Sequence, residues 1–546
     1  MNDILTRIVE RRRVDIEKLG FTMGETVPET RVRGAPIPFP APLDAKKGVV
    51  LEIKRASPSK GDIAPTLDAA QTAAQYAAAG TTAISVLTEH HWFKGGLADL
   101  QAAASAVDEY AKAHGTPPVA ILRKDFLLSS EEIEVAYRAG ADAVLLIARI
   151  LSAETMVDMA RTCERLGMVA FIELRENADL QKLAAVVKNV SLRSIVCGVN
   201  ARDLQDFSID LLTPAGLFQT IQEIVSENTK DSSPVRIIFE SGIRTPTAAR
   251  FAGSLGFTGM LLGEAAARNP SEAEDLVSAF IHAPDTANAA FWLSHAQKIT
   301  AKNKGNEEQT RPFVKICGIT NLSDAQKALE LGADFLGFIF WEKSPRHTSE
   351  EAVRKISSAL RNQAKENGIS APKLVGVIVD ADTEDGKTVR RLVQEGVLDC
   401  IQLHGCAESF FALDDGFSSS STPTGLHSDN RPTDLPHYAA ISIASEDDVA
   451  KLDALRLRGE PRILIDAHSA LTPGGTGKRI ADALVEKVSH KTKLWLAGGI
   501  TPDNVRDICN AFHPEFIDIA SGTEAEPGKK DHAKLEKLFA ELEKIA

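Results

Sequence analysis

Two lysines and three glutamates stand at or just beyond the ends of short apolar runs in the first half of this chain: Glu52, Lys54, Lys124, Glu173 and Glu240, with Asn200, Arg202 and Ser241 in equivalent places. Charged groups at such positions are costly in a folded interior unless they are paired or used. Structural ion pairing is one reading. The convergence of five ionisable groups favours proton transfer. In the second half, Cys317 ends the run Val314-Lys315-Ile316-Cys317, and Asp466 follows Leu464-Ile465. An isolated cysteine is more often inert core, but a thiolate facing a carboxylic acid makes an acid/base pair. Ser344-Pro345-Arg346 and Gln402-Leu403-His404 lie between the two in sequence, and Gly474-Gly475-Thr476-Gly477 follows as a loop suited to closing over a ligand.

A faint repeat links the halves. Glu240-Ser241-Gly242-Ile243 is echoed by Ala497-Gly498-Gly499-Ile500, and one unit later each half has a run ending in glycine, at Gly263 and at Ser521-Gly522. Glycine lets backbone approach an anion closely, and helix N-termini aim N–H groups at it. A single glycine would be read as a tight turn. A duplicated pair points to a phosphate site in each half.

The elements that must position these residues are legible as apolar runs alternating with helical patterns, the signature of βα units. Strands are expected near 49–54, 83–88, 119–124, 143–148, 169–174, 195–200, 236–240 and 259–263, then near 313–317, 335–340, 374–379, 400–403, 439–443, 462–465, 494–497 and 516–520. Eight per half, with the chemistry at strand C-terminal ends, predicts two tandem (β/α)8 barrels rather than an open sheet. Residues 1–285 are expected to form the first domain, 286–310 a partly helical linker with a polar end, and 311–546 the second. Ile4, Leu5, Ile8 and Val9 predict an extra helix before the first strand. The stretch 418–436, rich in Ser, Thr, Pro and Asp, reads as a long loop within the second barrel.

Composition agrees with a soluble enzyme: 546 residues, 44% hydrophobic, 25% charged. A net charge of −13 argues against nucleic-acid or membrane-surface binding, yet leaves room for an anionic substrate, which depends on local groups. Six scattered cysteines without a CxxC pair suggest neither zinc nor disulfides. The chain is expected to be cytoplasmic and monomeric, with phosphorylated small molecules as its partners and no metal or cofactor.

The stretches E-I-K-R-A-S-P-S-K-G from Glu52, R-K-D-F from Arg123, G-V-N-A-R-D-L from Gly198 and E-S-G-I from Glu240 resemble indole-3-glycerol phosphate synthase. Two departures are Ala201, where the family commonly has a second asparagine, and Arg175, where it often has histidine. The resemblance implies closure of the indole ring with loss of carbon dioxide and water. Lys124 would be the general acid, its pKa lowered by burial or by Lys54; Lys54 would hold a substrate anion and Glu173 would exchange protons. Glu52, Asn200 and Glu240 would hydrogen-bond the substrate and fix the lysines. Gly242, Gly263 and Ser57 would sit at the phosphate, with Arg202 and Ser241 among the binding residues, and Phe93, Phe126 and Leu145 would wall the aromatic ring.

The second half resembles phosphoribosylanthranilate isomerase through K-I-C-G-I-T from Lys315, S-P-R, Q-L-H-G, G-G-T-G, A-G-G-I-T-P-D-N-V from Ala497 and S-G-T-E from Ser521, where Thr523 replaces the usual valine. The implied reaction is an Amadori rearrangement. Asp466 would protonate the furanose ring oxygen, and Cys317, its thiol eased toward thiolate by positive charge such as Lys315, would remove the C2′ proton. Arg346 would hold the anthranilate carboxylate by a bidentate match. Gln402, His404, Gly498, Gly499, Ser521 and Gly522 would bind substrate, the last three with its phosphate. No redox change is involved. The alternatives are a Schiff-base aldolase using Lys124 or Lys54, and a sugar-phosphate sensor without catalysis.

Overall fold

The structure, a computed structural model, describes residues 4–39, 47–202, 208–263, 266, 273–303, 311–405, 434–467 and 479–545. The glycine loop at 474–477 and most of the 418–436 loop lie outside them. The chain divides into two compact units, Met1–Asp285 and Thr286–Ala546.

In the first unit the barrel strands are β1 (Gly48–Ile53), β2 (Ala83–Leu87), β3 (Ala120–Lys124), β4 (Ala143–Ile147), β5 (Val169–Leu174), β6 (Ile195–Asn200), β7 (Ile237–Glu240) and β8 (Gly259–Leu262). In the second they are β9 (Phe313–Cys317), β10 (Phe335–Ile339), β11 (Lys373–Ile378), β12 (Cys400–His404), β13 (His437–Ile443), β14 (Ile463–Ala467), β15 (Trp495–Ala497) and β16 (Phe516–Ile519). Each set closes on itself in chain order. Pairing is parallel throughout, and closure runs through Gly48↔Gly259 to Leu51↔Leu262 and through Phe313↔Phe516 to Ile316↔Ile519. Every expected strand is present. Strands covered on both faces read as continuous apolar runs, as in β4 and β5, where every residue is buried.

Helix α1 (Ile4–Leu19) precedes β1, as expected, and buries Leu5, Ile8, Arg12 and Asp15. Arg12 is held by two buried carboxylates: its Nε lies 2.9 Å from Glu132 and its Nη1 3.1 Å from Asp125. A buried charge is tolerable only with such partners, so α1 is tied to the mouth of its barrel.

The stretch expected as a linker is different. Helix α2 (Ala287–Asn303) occupies most of it and belongs to the second unit; residues 304–310 lie outside the description. Trp292, fully buried, sits 5.9 Å from Trp495, and His295 lies 4.8 Å from Phe313. Trp495 stacks on Phe516 at 4.2 Å. Phe313, Trp495 and Phe516 each begin a strand, so α2 covers the N-terminal end of the barrel.

A second unit begun at Thr286 is therefore expected to resist urea better than one begun at Arg311, and Trp292→Ala to cost it about 3–5 kcal/mol, the usual result of emptying a buried tryptophan site. Equal midpoints for the two fragments would show that α2 adds nothing to that core.

Candidate active sites

The C-terminal ends of β1–β8 surround a pocket lined by Glu52, Lys54, Ser57, Phe93, Lys124, Phe126, Leu145, Glu173, Asn200, Arg202, Ser241, Gly242 and Gly263. Glu240, fully buried, joins them through Lys124. The residues expected from sequence thus converge, from all eight strands or the loops just beyond them.

Their pairing differs from expectation. Lys54 Nζ donates to Glu52 at 2.6 Å. Lys124 Nζ donates to Glu240 at 3.0 Å and lies 3.4 Å from the other Glu52 oxygen. Burial alone would lower the Lys124 pKa, but Glu240, Glu52 and Glu173 outweigh it and hold the ammonium well above its ordinary value. Lys124 is not tuned downward by Lys54; it is a fully charged donor in a cage of carboxylates.

The carboxylates are tuned apart. Burial would raise Glu52, yet Lys54 and Lys124 pull it down to about 2. Burial and then Glu240 push Glu173 up to about 8 against the pull of Lys124, while burial raises Glu240. Asn200 Nδ2 lies 3.4 Å from Glu173, and the Asn200 oxygen accepts from the Arg202 N–H at 2.9 Å. Arg175 donates to the carbonyls of Asn200 and Arg202, bracing the end of β6. Two glycines make room for the cage. A Cβ at Gly198 would lie 2.2 Å from Glu240 Oε1, and one at Gly263 would lie 2.5 Å from Glu52 Oε1 and 2.8 Å from Lys54 Nζ.

Sequence reasoning missed two supports. Ile4, Leu5 and Ile8 of α1 line the pocket. Buried Glu89 accepts backbone N–H bonds from His91, Trp92 and Phe93 at 2.7–3.0 Å, which fixes the turn that sets Phe93 6.0 Å from Phe126. The helical period of α1 was the available signal for the first; for Glu89 there was none.

In the second unit Cys317, Arg346, Gln402, His404, Asp466, Gly498, Gly499, Ser521 and Gly522 line one pocket at the matching end of the barrel. Burial raises the Asp466 carboxyl to about 6, against a 2.7 Å hydrogen bond from the Ala467 N–H. Burial and then Asp518 raise the Cys317 thiol, more than Lys315 and Lys530 lower it. The thiol is therefore held above its ordinary value, contrary to the expectation for a thiol beside a lysine. Lys315 is shared with Asp518 at 2.7 Å and with Gln402. Gln402 also accepts from Tyr438 at 3.0 Å, so its oxygen is spent inside the barrel. Burial lowers His404 to about 4, which keeps it neutral.

Arg346 lines the pocket, but its Nε and Nη2 edge already grips Glu524, each at 2.8 Å. One of the two bidentate edges of the guanidinium is thereby occupied. Asp518, Glu524 and Lys530 were all overlooked. A charged residue inside the apolar run Phe516-Ile517-Asp518-Ile519 was the available signal for the first.

The duplicated turn has the same backbone in both halves. Ser241 and Gly242 have φ of 69° and 84°; Gly498 and Gly499 have 90° and 65°. In the second unit the turn meets the loop after β16, where a Cβ at Gly522 would lie 1.9 Å from the Ile500 carbonyl oxygen.

The family model for indole-3-glycerol phosphate synthase matches residues 5–278, and that for N-(5'-phosphoribosyl)anthranilate isomerase matches 314–414 and 427–541. The chain belongs to the family that fuses these two enzymes of tryptophan biosynthesis. It is 30% identical to the multifunctional tryptophan biosynthesis proteins of Schizosaccharomyces pombe and Phanerodontia chrysosporium. These alignments take in 99% of the chain and 66% and 70% of those longer relatives. The tryptophan biosynthesis protein TrpCF of Yersinia pestis is 29% identical, over 90% of the chain and 84% of its own length. The first unit is thus a synthase barrel and the second an isomerase barrel.

One glycine in each barrel tests the packing described. Gly198→Ala should disable synthase turnover, and Gly337→Ala, whose Cβ would lie 2.7 Å from Cys317 Sγ, should disable isomerase turnover. Each variant should leave the other barrel's activity intact. Wild-type rates in either would mean the seat of the neighbouring group is not needed.

Proposed function

We propose that the isomerase barrel converts N-(5-phosphoribosyl)anthranilate to 1-(2-carboxyphenylamino)-1-deoxyribulose 5-phosphate. The synthase barrel then closes that product to indole-3-glycerol phosphate, releasing carbon dioxide and water. The observation that carries the reading is that a buried thiol, Cys317, and a carboxyl, Asp466, raised to about 6, line one pocket. Asp466 donates to the furanose ring oxygen, Cys317 removes the C2′ proton, and the phosphate rests on Gly499, Ser521 and Gly522. Domain limits of 1–285 and 286–546 follow the two units.

In the synthase barrel the Lys124 ammonium polarises the ketone and assists departure of its oxygen. Glu173, raised well above the usual carboxyl range by burial and then by Glu240, exchanges a proton during dehydration. Gly242 and Gly263 take the phosphate, and Phe93, Phe126 and Leu145 face the ring. A Schiff-base mechanism needs an uncharged amine, and the cage around Lys124 opposes one. A sensor has no use for carboxyls tuned so far apart. Feeding phosphoribosylanthranilate and looking for indoleglycerol phosphate tests the whole sequence. Absence of that product with a folded chain would end the reading.

Lys124→Ala should slow ring closure by at least about 100-fold, the usual worth of a general acid, with isomerisation unchanged. Near-normal synthase turnover would remove Lys124 from the chemistry.

The isomerase pH profile has a definite shape. Its active form needs Asp466 protonated and Cys317 ionised, but Asp466 at about 6 titrates before the raised thiol. The productive form is therefore a minority species. Its share rises up to about pH 6, stays level, and falls above the thiol pKa. Profiles of kcat/KM should show that plateau, with Asp466 setting the acid limb. Alkylation rates, taken as the difference from Cys317→Ala, should place the thiol on the alkaline limb. A thiol titrating near pH 6 would reverse the assignment.

A further inference from the structure

Asp518 is the acidic group of the isomerase pocket that the acid/base pair leaves unused. It lines the pocket and is 7% exposed. One oxygen holds Lys315 at 2.7 Å, and the other, Oδ1, is buried without a hydrogen-bond partner among the described residues. An unsatisfied buried carboxylate oxygen is expensive, and a pocket-lining one is satisfied most simply by a ligand donor.

Its place in the barrel says which donor. The acid Asp466 is on β14 and the base Cys317 on β9. Along the closed sheet, β15 and β16 lie between them, and Asp518 is on β16. The register sets Asp518 level with Ala497, one residue beyond the Trp495–Leu464 and Leu496–Ile465 pairs, and so level with Asp466 two strands away. Two strand spacings are roughly 9–10 Å. On its other side Asp518 is level with Lys315, two residues before Cys317. The carboxylate thus stands on the short arc between the group that gives a proton and the group that takes one.

The chemistry puts a positive charge on that arc. When Asp466 protonates the ring oxygen, the C1′–O bond breaks with its electron pair going to oxygen. The anilino nitrogen's lone pair forms a C1′=N bond, leaving an iminium cation. Cys317 then takes the C2′ proton, the C2′–H electrons form C1′=C2′, and the pair returns to nitrogen. The cation is created by the acid step and discharged by the base step.

We propose that Asp518 is a third catalytic group of the isomerase barrel, its free oxygen accepting from the substrate's anilino N–H and stabilising the iminium between the two proton transfers. Lys315 then serves to fix the carboxylate, and Gln402 and Tyr438 to fix Lys315. This inference rests on the isomerase reading above.

The test is a double-substitution cycle on the full chain with phosphoribosylanthranilate as substrate. Asp518→Asn should lower isomerase kcat at least ~100-fold, as for loss of one preorganised stabilising group, with KM moved far less and synthase turnover unchanged. A carboxylate that only neutralised Lys315 would give the same single-variant result, so the double variant decides. Lys315→Met with Asp518→Asn removes both charges, and loss of both partners is tolerated far better than loss of one, which keeps the cycle readable if the single variant fails to fold. If Asp518 acts on the substrate, the double variant stays at least ~100-fold below Lys315→Met. Recovery to the Lys315→Met rate would overturn the proposal. A wild-type chain inactive in the same assay would instead sink the isomerase reading.

Discussion

A lysine ammonium withdrawn from water must be surrounded by opposite charge, and each barrel mouth is built to meet that demand. In the synthase barrel Lys124 is enclosed by Glu240, Glu52 and Glu173; in the isomerase barrel Lys315 is held by Asp518 and Gln402. Coulomb attraction at these separations competes with a desolvation cost of several kcal/mol per ion, so neither lysine can lose its partners without the site rearranging. The glycines that admit the cages follow from this. Any side chain at Gly198, Gly263 or Gly337 would strike a caged group or the thiol beside it.

The same enclosure sorts the acids. Three carboxylates around Lys124 cannot all ionise with equal ease, because one cation does not neutralise three anions. Glu52, which also has Lys54, falls to about 2, whereas Glu173 is raised by burial and then by Glu240 against the pull of Lys124. The isomerase barrel reaches a similar division with fewer groups: Asp518 takes the lysine, and Asp466, left to burial, rises to about 6. Each site therefore holds a carboxyl raised chiefly by burial, while a neighbouring carboxylate takes the buried positive charge.

This explains what the sequence did and did not disclose. All sixteen strands were legible, because parallel strands covered on both faces leave continuous Val, Ile and Leu runs, and the chemistry-bearing residues sit where those runs end. Which charge pairs with which was not legible, since it depends on contacts between strands far apart in the chain. Arg346 is complementary to a substrate carboxylate in isolation; only the fold brings Glu524 to its fork. A cysteine next but one to a lysine suggests an easily ionised thiol; only the fold shows that Asp518 absorbs the lysine and that burial decides. The helical character of the 286–310 stretch was legible, but the packing of α2 on the barrel was not, because Trp292 and His295 meet Trp495 and Phe313, contacts that only the fold supplies.

The duplicated turn after the seventh strand shows where the twin sites part. Its first residue has a positive φ in both barrels, a conformation that costs a residue with a side chain about 1–2 kcal/mol and costs glycine little. The isomerase barrel places Gly498 there, the relaxed choice, while the synthase barrel places Ser241 at φ 69°. Strain of this kind persists where the surroundings over-determine it. The side chain so retained lines the pocket beside Gly242, at the proposed phosphate end of the site. A hydroxyl at that point can donate to an anion, which Gly498 at the same place in the other barrel cannot do with a side chain. The repeated backbone matches what the two proposed substrates share, a terminal phosphate, and the strained serine gives the synthase barrel a pocket-lining side chain where the isomerase barrel has glycine.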